Sequence, residues 1–157
     1  MNRDDLIRSA GGLAQPQADA AEEFQQKMDA LAAELNRQML QRPDLERLIG
    51  PDNQEMMQDN SRNFCRFMSS QFRAYEPVAL VETALWVFRA YRAHGFQITY
   101  WPAYLDTFAE ISRAQLSGKA FGQIYPFLEW LILQIPALVA ISDQELAQPL
   151  PEDLPHE

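Results

Sequence analysis

Side chains that ligate metals or act as nucleophiles are scarce in this sequence, and the scarcity narrows the chemistry at once. There are two histidines, His94 and His156, and one cysteine, Cys65. HExxH is absent, and the residue three before His94 is Tyr91 rather than glutamate. Zinc-peptidase and di-iron carboxylate sites therefore lack their ligand sets. The six glycines are scattered and form neither GxGxxG nor GxxxxGK[ST], so no phosphate-cradling loop is expected. Cys65 lies in the middle of a helical pattern among apolar neighbours, the usual setting of an inert buried thiol. Sequence order alone leaves open a Ser/His/Asp or Cys/His arrangement assembled by the fold. No catalytic and no metal-ligating residue is assigned, and the chain is expected not to be an enzyme.

Two features stand out from this background. Glu129 sits inside the apolar run FLEWLIL, where an ion is costly unless paired. It either occupies a narrow exposed strip of its helix or meets an arginine such as Arg89 or Arg92; a pocket-lining carboxyl with a raised pKa is the third choice. The second feature is aromatic. Phe88, Tyr91, Phe96, Tyr100, Trp101, Tyr104 and Phe108 fall within 21 residues. Such a cluster suits ordinary packing, yet Tyr and Trp each need a polar partner at one end, which makes a lined cavity with a few polar groups a reasonable expectation.

These groups must be held by one domain, since 157 residues bury a full core but do not divide into two ordinary domains. Hydrophobic residues make up 47% of the chain, which places it among globular rather than disordered sequences. Against 13 basic residues stand 22 acidic ones, for a net charge of −9. That balance repels phosphates and anionic lipid, so nucleic acid and membrane surfaces are not expected partners. One cysteine allows no internal disulfide and suits a reducing cytoplasm. Residues 1–12 have no apolar h-region, so no secretory leader is expected.

The periodicity is helical nearly throughout, and the fold class read from it is all-α. Residues 1–16 form an N-terminal extension with a short helix over Asp4–Ala10, broken at Gly11-Gly12. Pro16 suits the first turn of a long helix to about Gln41, striped by Phe24, Met28, Leu31, Leu35 and Met39. Asp44 caps a short helix to Ile49, and Asp52 or Asn53 a long one to Tyr75 whose apolar face carries Met57, Phe64, Phe67, Met68 and Phe72. The helix opened by Glu76-Pro77 presents Val78, Val81, Leu85, Phe88 and the stem of Arg92, and ends at His94-Gly95 with the glycine as a left-handed cap. Pro102 starts the next, closed by Ser117-Gly118. The last runs from about Ala120 to Leu146 and bends at Pro136. It is interrupted by Glu129, Gln134 and Pro136, so it reads as a core helix, not a membrane span. The helical domain is thus set at 17–141, and 142–157 is an acidic, proline-containing tail or linker.

The order and lengths of these segments resemble a globin-like bundle of about six to seven helices. The local resemblance is to globin-coupled sensors, in which the proximal haem histidine is followed at fixed spacing by a glycine, an apolar residue and an aromatic pair. Here that frame reads Tyr91, Gly95, Phe96, Tyr100, Trp101 and Tyr104. Tyrosine replaces the imidazole, which is the usual strong donor to haem iron in globins. The pattern is similar to the non-haem globin modules of bacterial stressosome regulators, which keep the fold and lose the iron site. Cys65 between Arg62 and Arg66 is loosely similar to the bilin-bearing cysteine of phycobiliproteins, without the aspartate expected after it.

The resemblance implies a non-catalytic, cytoplasmic sensor or signalling module without haem. It would be a homodimer with a signalling protein as partner, and would take a small apolar ligand at the aromatic corner. The pocket residues expected are Phe64, Met68, Phe88, Tyr91, Trp101, Tyr104 and Phe108. Two alternatives stand beside it: a haem or bilin holoprotein using His94 or Cys65, and a ligand-free interaction scaffold.

Overall fold

The computed structural model describes residues 1–147. Among these there is no strand, and eight helices follow in order: α1 (Arg3–Ala10), α2 (Ala18–Leu40), α3 (Leu45–Ile49), α4 (Gln54–Arg73), α5 (Pro77–Ala93), α6 (Tyr100–Gln115), α7 (Gly118–Leu133) and α8 (Ile135–Leu146). The all-α class holds. Residues 148–157, and with them His156 and most of the expected tail, lie outside the described residues.

The long helix α2 is the axis of the bundle. Phe24, Leu31, Leu35 and Met39 are fully buried along one stripe, and that stripe packs on α4, α6 and α7. The stripe is thus a core face of the chain's own domain. Pro16 falls two residues short of the first turn, because α2 starts only after Gln17. The helix α1 is closed by a capping box in which Asn2 Oδ1 accepts from the Asp5 N–H and Asp5 Oδ2 from the Asn2 N–H, both at 2.9 Å. It docks on α5, and the indole of Trp130 donates to Ser9 Oγ at 2.9 Å, joining α1 to α7.

At the C-terminal end of the chain the boundaries differ from the sequence reading. Ser117 does not close α6; its hydroxyl accepts from the Ala120 N–H and so caps α7, with Gly118 as the first helical residue. The expected bent helix is two helices, α7 and α8, meeting at Gln134 with a bend of 49°. Pro136 lies in the first turn of α8, where its missing N–H leaves no intrahelical bond unmade. Helix α8 runs past position 142 to Leu146, as the helical pattern implied, and Ser142 is buried. No single described helix is long and apolar enough to cross a membrane, though the bent α7–α8 pair passes a test of length and composition.

Candidate functional site

The aromatic corner is built around the end of α5. There the Phe96 N–H donates to the Tyr91 carbonyl and the Gly95 N–H to that of Arg92, both at 3.0 Å, while the Phe96 and Tyr91 rings meet at 5.0 Å between centroids. This is a Schellman closure with its hydrophobic contact, and it needs Gly95 at φ +107°, where a side chain would be strained. A second clamp holds the corner from outside. Asn53 Nδ2 donates to the carbonyls of Ile49 at 2.7 Å and His94 at 2.8 Å, and the Gln97 N–H donates to the Leu48 carbonyl at 2.8 Å. The turn before α4 and the turn after α5 are thereby fixed to each other.

From this anchor the rings run inward without a gap. Phe88 stacks on Trp101 at 4.7 Å, and Trp101 meets Tyr100 at 4.7 Å and Tyr91 at 5.9 Å. Tyr100 continues to Tyr104 at 5.1 Å, Tyr104 to Phe64 at 5.8 Å, and Phe64 to Phe108 at 5.3 Å. The phenol of Tyr104 donates to Ser61 Oγ at 3.1 Å, and Ser61 Oγ donates to the Met57 carbonyl at 3.3 Å. Asn60 Nδ2 donates to the Tyr100 hydroxyl at 3.4 Å. Burial, only partly offset by these hydrogen bonds, holds both phenols well above the ordinary tyrosine range.

Between α4 and α5 the bundle opens. Consecutive though they are, α4 packs chiefly on α2 while α5 packs on α1 and α8, and the space between them is a cavity of about 70 Å³. Five of the seven expected residues line it: Phe64, Met68, Phe88, Trp101 and Tyr104. Tyr91 and Phe108 do not; they support the walls from behind. The sequence reading missed Asn60, Phe67, Leu80, Thr83, Ala84, Val87, Leu105, Leu131 and Leu138. Phe64, Phe67, Thr83, Ala84 and Val87 are half-buried and form the mouth. No lining residue is ionisable in the physiological range.

Compared with protein-family models, curated proteins and solved structures, the chain gives no match. Function has to be read from the site itself.

The residues available for a tetrapyrrole do not fit one. Tyr91 stands where the resemblance puts the axial ligand, but its ring packs against Phe96 and Trp101 and is absent from the cavity wall. Burial, with the charge of Asp59, raises its pKa, whereas a ligating phenolate needs it lowered. His94 is exposed, with Nδ1 2.9 Å from the Ala90 carbonyl oxygen, so it caps the end of α5. Cys65 is 1% exposed and burial pushes its thiol up to about 12, which removes the thiolate that bilin attachment requires. The chamber is about half the volume of the roughly 150 Å³ apolar cavity known to hold benzene, far below a macrocycle. No cluster of His, Cys, Asp and Glu able to hold a metal exists among the described residues.

Glu129 takes the simplest of its three options. It is exposed on α7, and the arginines it could have met turn to α8 instead. Arg92 reaches Ser142 Oγ at 2.5 Å and Asp143 Oδ1 at 2.6 Å, and Arg89 lies 3.9 Å from Glu145.

Proposed function

We propose that this chain is a non-catalytic sensor or signalling module on a globin-like frame without haem, in which a small apolar ligand between α4 and α5 alters the setting of α8. The observation that carries this reading is a shared wall. Helix α5 contributes Leu80, Thr83, Val87 and Phe88 to the cavity and also holds α8 through Arg92, while α8 itself contributes Leu138. An occupant that parts α4 from α5 must therefore act on α8. Only a ligand with unequal affinity for the two settings can do so. Eight helices around an apolar chamber are in keeping with the globin frame. The lone buried thiol suits a reducing cytoplasm.

The module is proposed to act as a homodimer, with a signalling protein downstream. Since α2 is committed to the core, the support comes from the outer side of α7 and α8, where Leu133 is 66% exposed beside exposed Pro136 and Ala140. Sedimentation at high micromolar concentration tests it, and a strict monomer there would refute the dimer.

Hydrogen–deuterium exchange with benzene as the probe tests the sensing itself. Saturating benzene should change amide exchange in 138–146 as well as in 80–88. Protection confined to the cavity walls, or no effect at all, would count against a signalling role.

A further inference from the structure

The chamber between α4 and α5 is closed at its inner end by Leu131 of α7 and Leu138 of α8, both buried, and its mouth is formed by half-buried side chains. Its walls offer an occupant hydrocarbon and almost nothing else. The polar tips of the lining side chains are engaged or shut away: Tyr104 donates to Ser61, Asn60 donates to the Tyr100 hydroxyl, and the Trp101 indole nitrogen is enclosed by the fold. A hydroxyl, amide or charge carried to the inner end would therefore go unpaired.

Volume then limits shape. An apolar cavity of roughly 150 Å³ holds the six carbons of benzene, or about 25 Å³ for each carbon. At that density the chamber of about 70 Å³ holds about three carbons. The mouth continues the apolar surface outward: α4 supplies the rings of Phe64 and Phe67, and α5 supplies Ala84 and Val87, whose small side chains leave a passage beside those rings. We infer that the cavity takes the unbranched alkyl tail of a single-chain amphiphile, methyl end first. The last carbons fill the chamber against Leu131 and Leu138, the next lie in the mouth, and the polar head stays in water. This inference rests on the reading of the cavity as a ligand site and names the chemical class of its occupant.

Four six-carbon alcohols test it: 1-hexanol, 3,3-dimethyl-1-butanol, cyclohexanol and 1,6-hexanediol. Each is titrated into the whole chain labelled with ¹³C at its leucine methyls. With 1-hexanol the Leu131 and Leu138 methyl resonances, identified by their loss in Leu131→Met and Leu138→Met, should move. A tert-butyl end needs about 100 Å³ on the same scale and a six-carbon ring about 150 Å³. Both bulky alcohols should therefore bind about fourfold or more weakly than 1-hexanol, the worth of one methylene left outside. The diol must bury a hydroxyl whichever end enters, and should bind between about fivefold and about a hundredfold more weakly. Ala84→Trp, a change at the half-buried mouth, should abolish 1-hexanol binding while helical circular dichroism is retained. Undiminished binding in that variant, or binding of the diol or the bulky alcohols equal to that of 1-hexanol, overturns the tail-first assignment. Leucine methyls that ignore 1-hexanol while benzene still acts overturn the assignment alone. No response to either overturns the ligand site as well.

Discussion

Arg92 and Ser142 meet at 2.5 Å between guanidinium Nη1 and hydroxyl Oγ, joining two helices fifty positions apart in the chain. The same guanidinium pairs with Asp143 at 2.6 Å and is itself only 18% exposed, whereas the aspartate is 56% exposed. The hydroxyl is therefore the better shielded of the two partners. Ser142→Ala should cost about 1 kcal/mol, a drop of about 3 °C in Tm, since the charged donor keeps its other contacts. Arg92→Ala should cost more, because it also strips the alkyl stem from between α5 and α8. In native-state hydrogen exchange the loss should be concentrated in α8. Uniform loss of protection across all helices would mean that Arg92 does not hold α8 locally.

At the same C-terminal end of α5, two carbonyls depend on one amide. Asn53 satisfies both Ile49 and His94, so Asn53→Ala should destabilise the protein by about 1–3 kcal/mol through the orphaned carbonyls. Asn53→Asp should be no remedy, since a carboxylate cannot donate to them. Gly95→Ala tests the same corner independently: an added Cβ would make only ordinary contacts with Asn53 Nδ2 at 3.7 Å and the Ile49 carbonyl oxygen at 4.0 Å, so the cost comes from φ +107°, which is unfavourable for alanine. Denaturant midpoints of the three variants should all fall, with Trp101 fluorescence reporting a loosened corner. Wild-type stability in Gly95→Ala would contradict the Schellman closure.

How far the site could be read beforehand depended on where its residues lie in the chain. The aromatic corner was legible because its rings crowd one short stretch between Phe88 and Phe108, and Gly95 marked the turn between them. Leu131 and Leu138 were not, because nothing chemical distinguishes a leucine facing a gap from one facing a packed helix. That distinction is made by how α4 and α5 diverge, and divergence belongs to the tertiary fold. Tyr91 and Phe108 share the helical face of true wall residues but stand one layer behind them. Ser117-Gly118 was ambiguous for a local reason, since serine before glycine suits both a helix stop and an N-cap. Val78, expected on the apolar side of α5, is instead 49% exposed, while Leu80 and Val81 just after it are buried.

Buried phenols give a pH dependence of definite sign. Burial raises the pKa of Tyr75 to about 12, and those of Tyr91, Tyr100 and Tyr104 also lie above the ordinary value of 10.0. Each group is neutral when protonated, so a raised folded pKa contributes stability that is complete below pH 10 and lost as pH climbs from 10 through 12. Absorbance at 295 nm should show these four phenols ionising late and in step with the loss of helical circular dichroism. The Cys65 thiol, also raised to about 12, should resist thiol reagents at pH 8 until the chain unfolds. Ionisation of all four near pH 10 with the helices intact would show that the corner is open to solvent.

Placing an imidazole at position 91 distinguishes two accounts of the proposed globin-like frame without haem. If only the donor were missing, Tyr91→His would bring haem back. The geometry argues otherwise, because the side chain at 91 packs against Phe96 and Trp101 instead of facing the cavity, and Phe88 stacks on Trp101 at the wall of a chamber of only about 70 Å³. Making room would require breaking that stack and parting α4 from α5, which exposes apolar wall before any bond to iron forms. Ferric haem added to the native protein should therefore give no stoichiometric Soret band, and none should appear in Tyr91→His. A one-to-one Soret band in the variant alone would show that the corner opens readily and that the missing donor is the whole difference. A band in the native protein that disappears in His94→Ala would instead assign the ligand to the residue that caps α5.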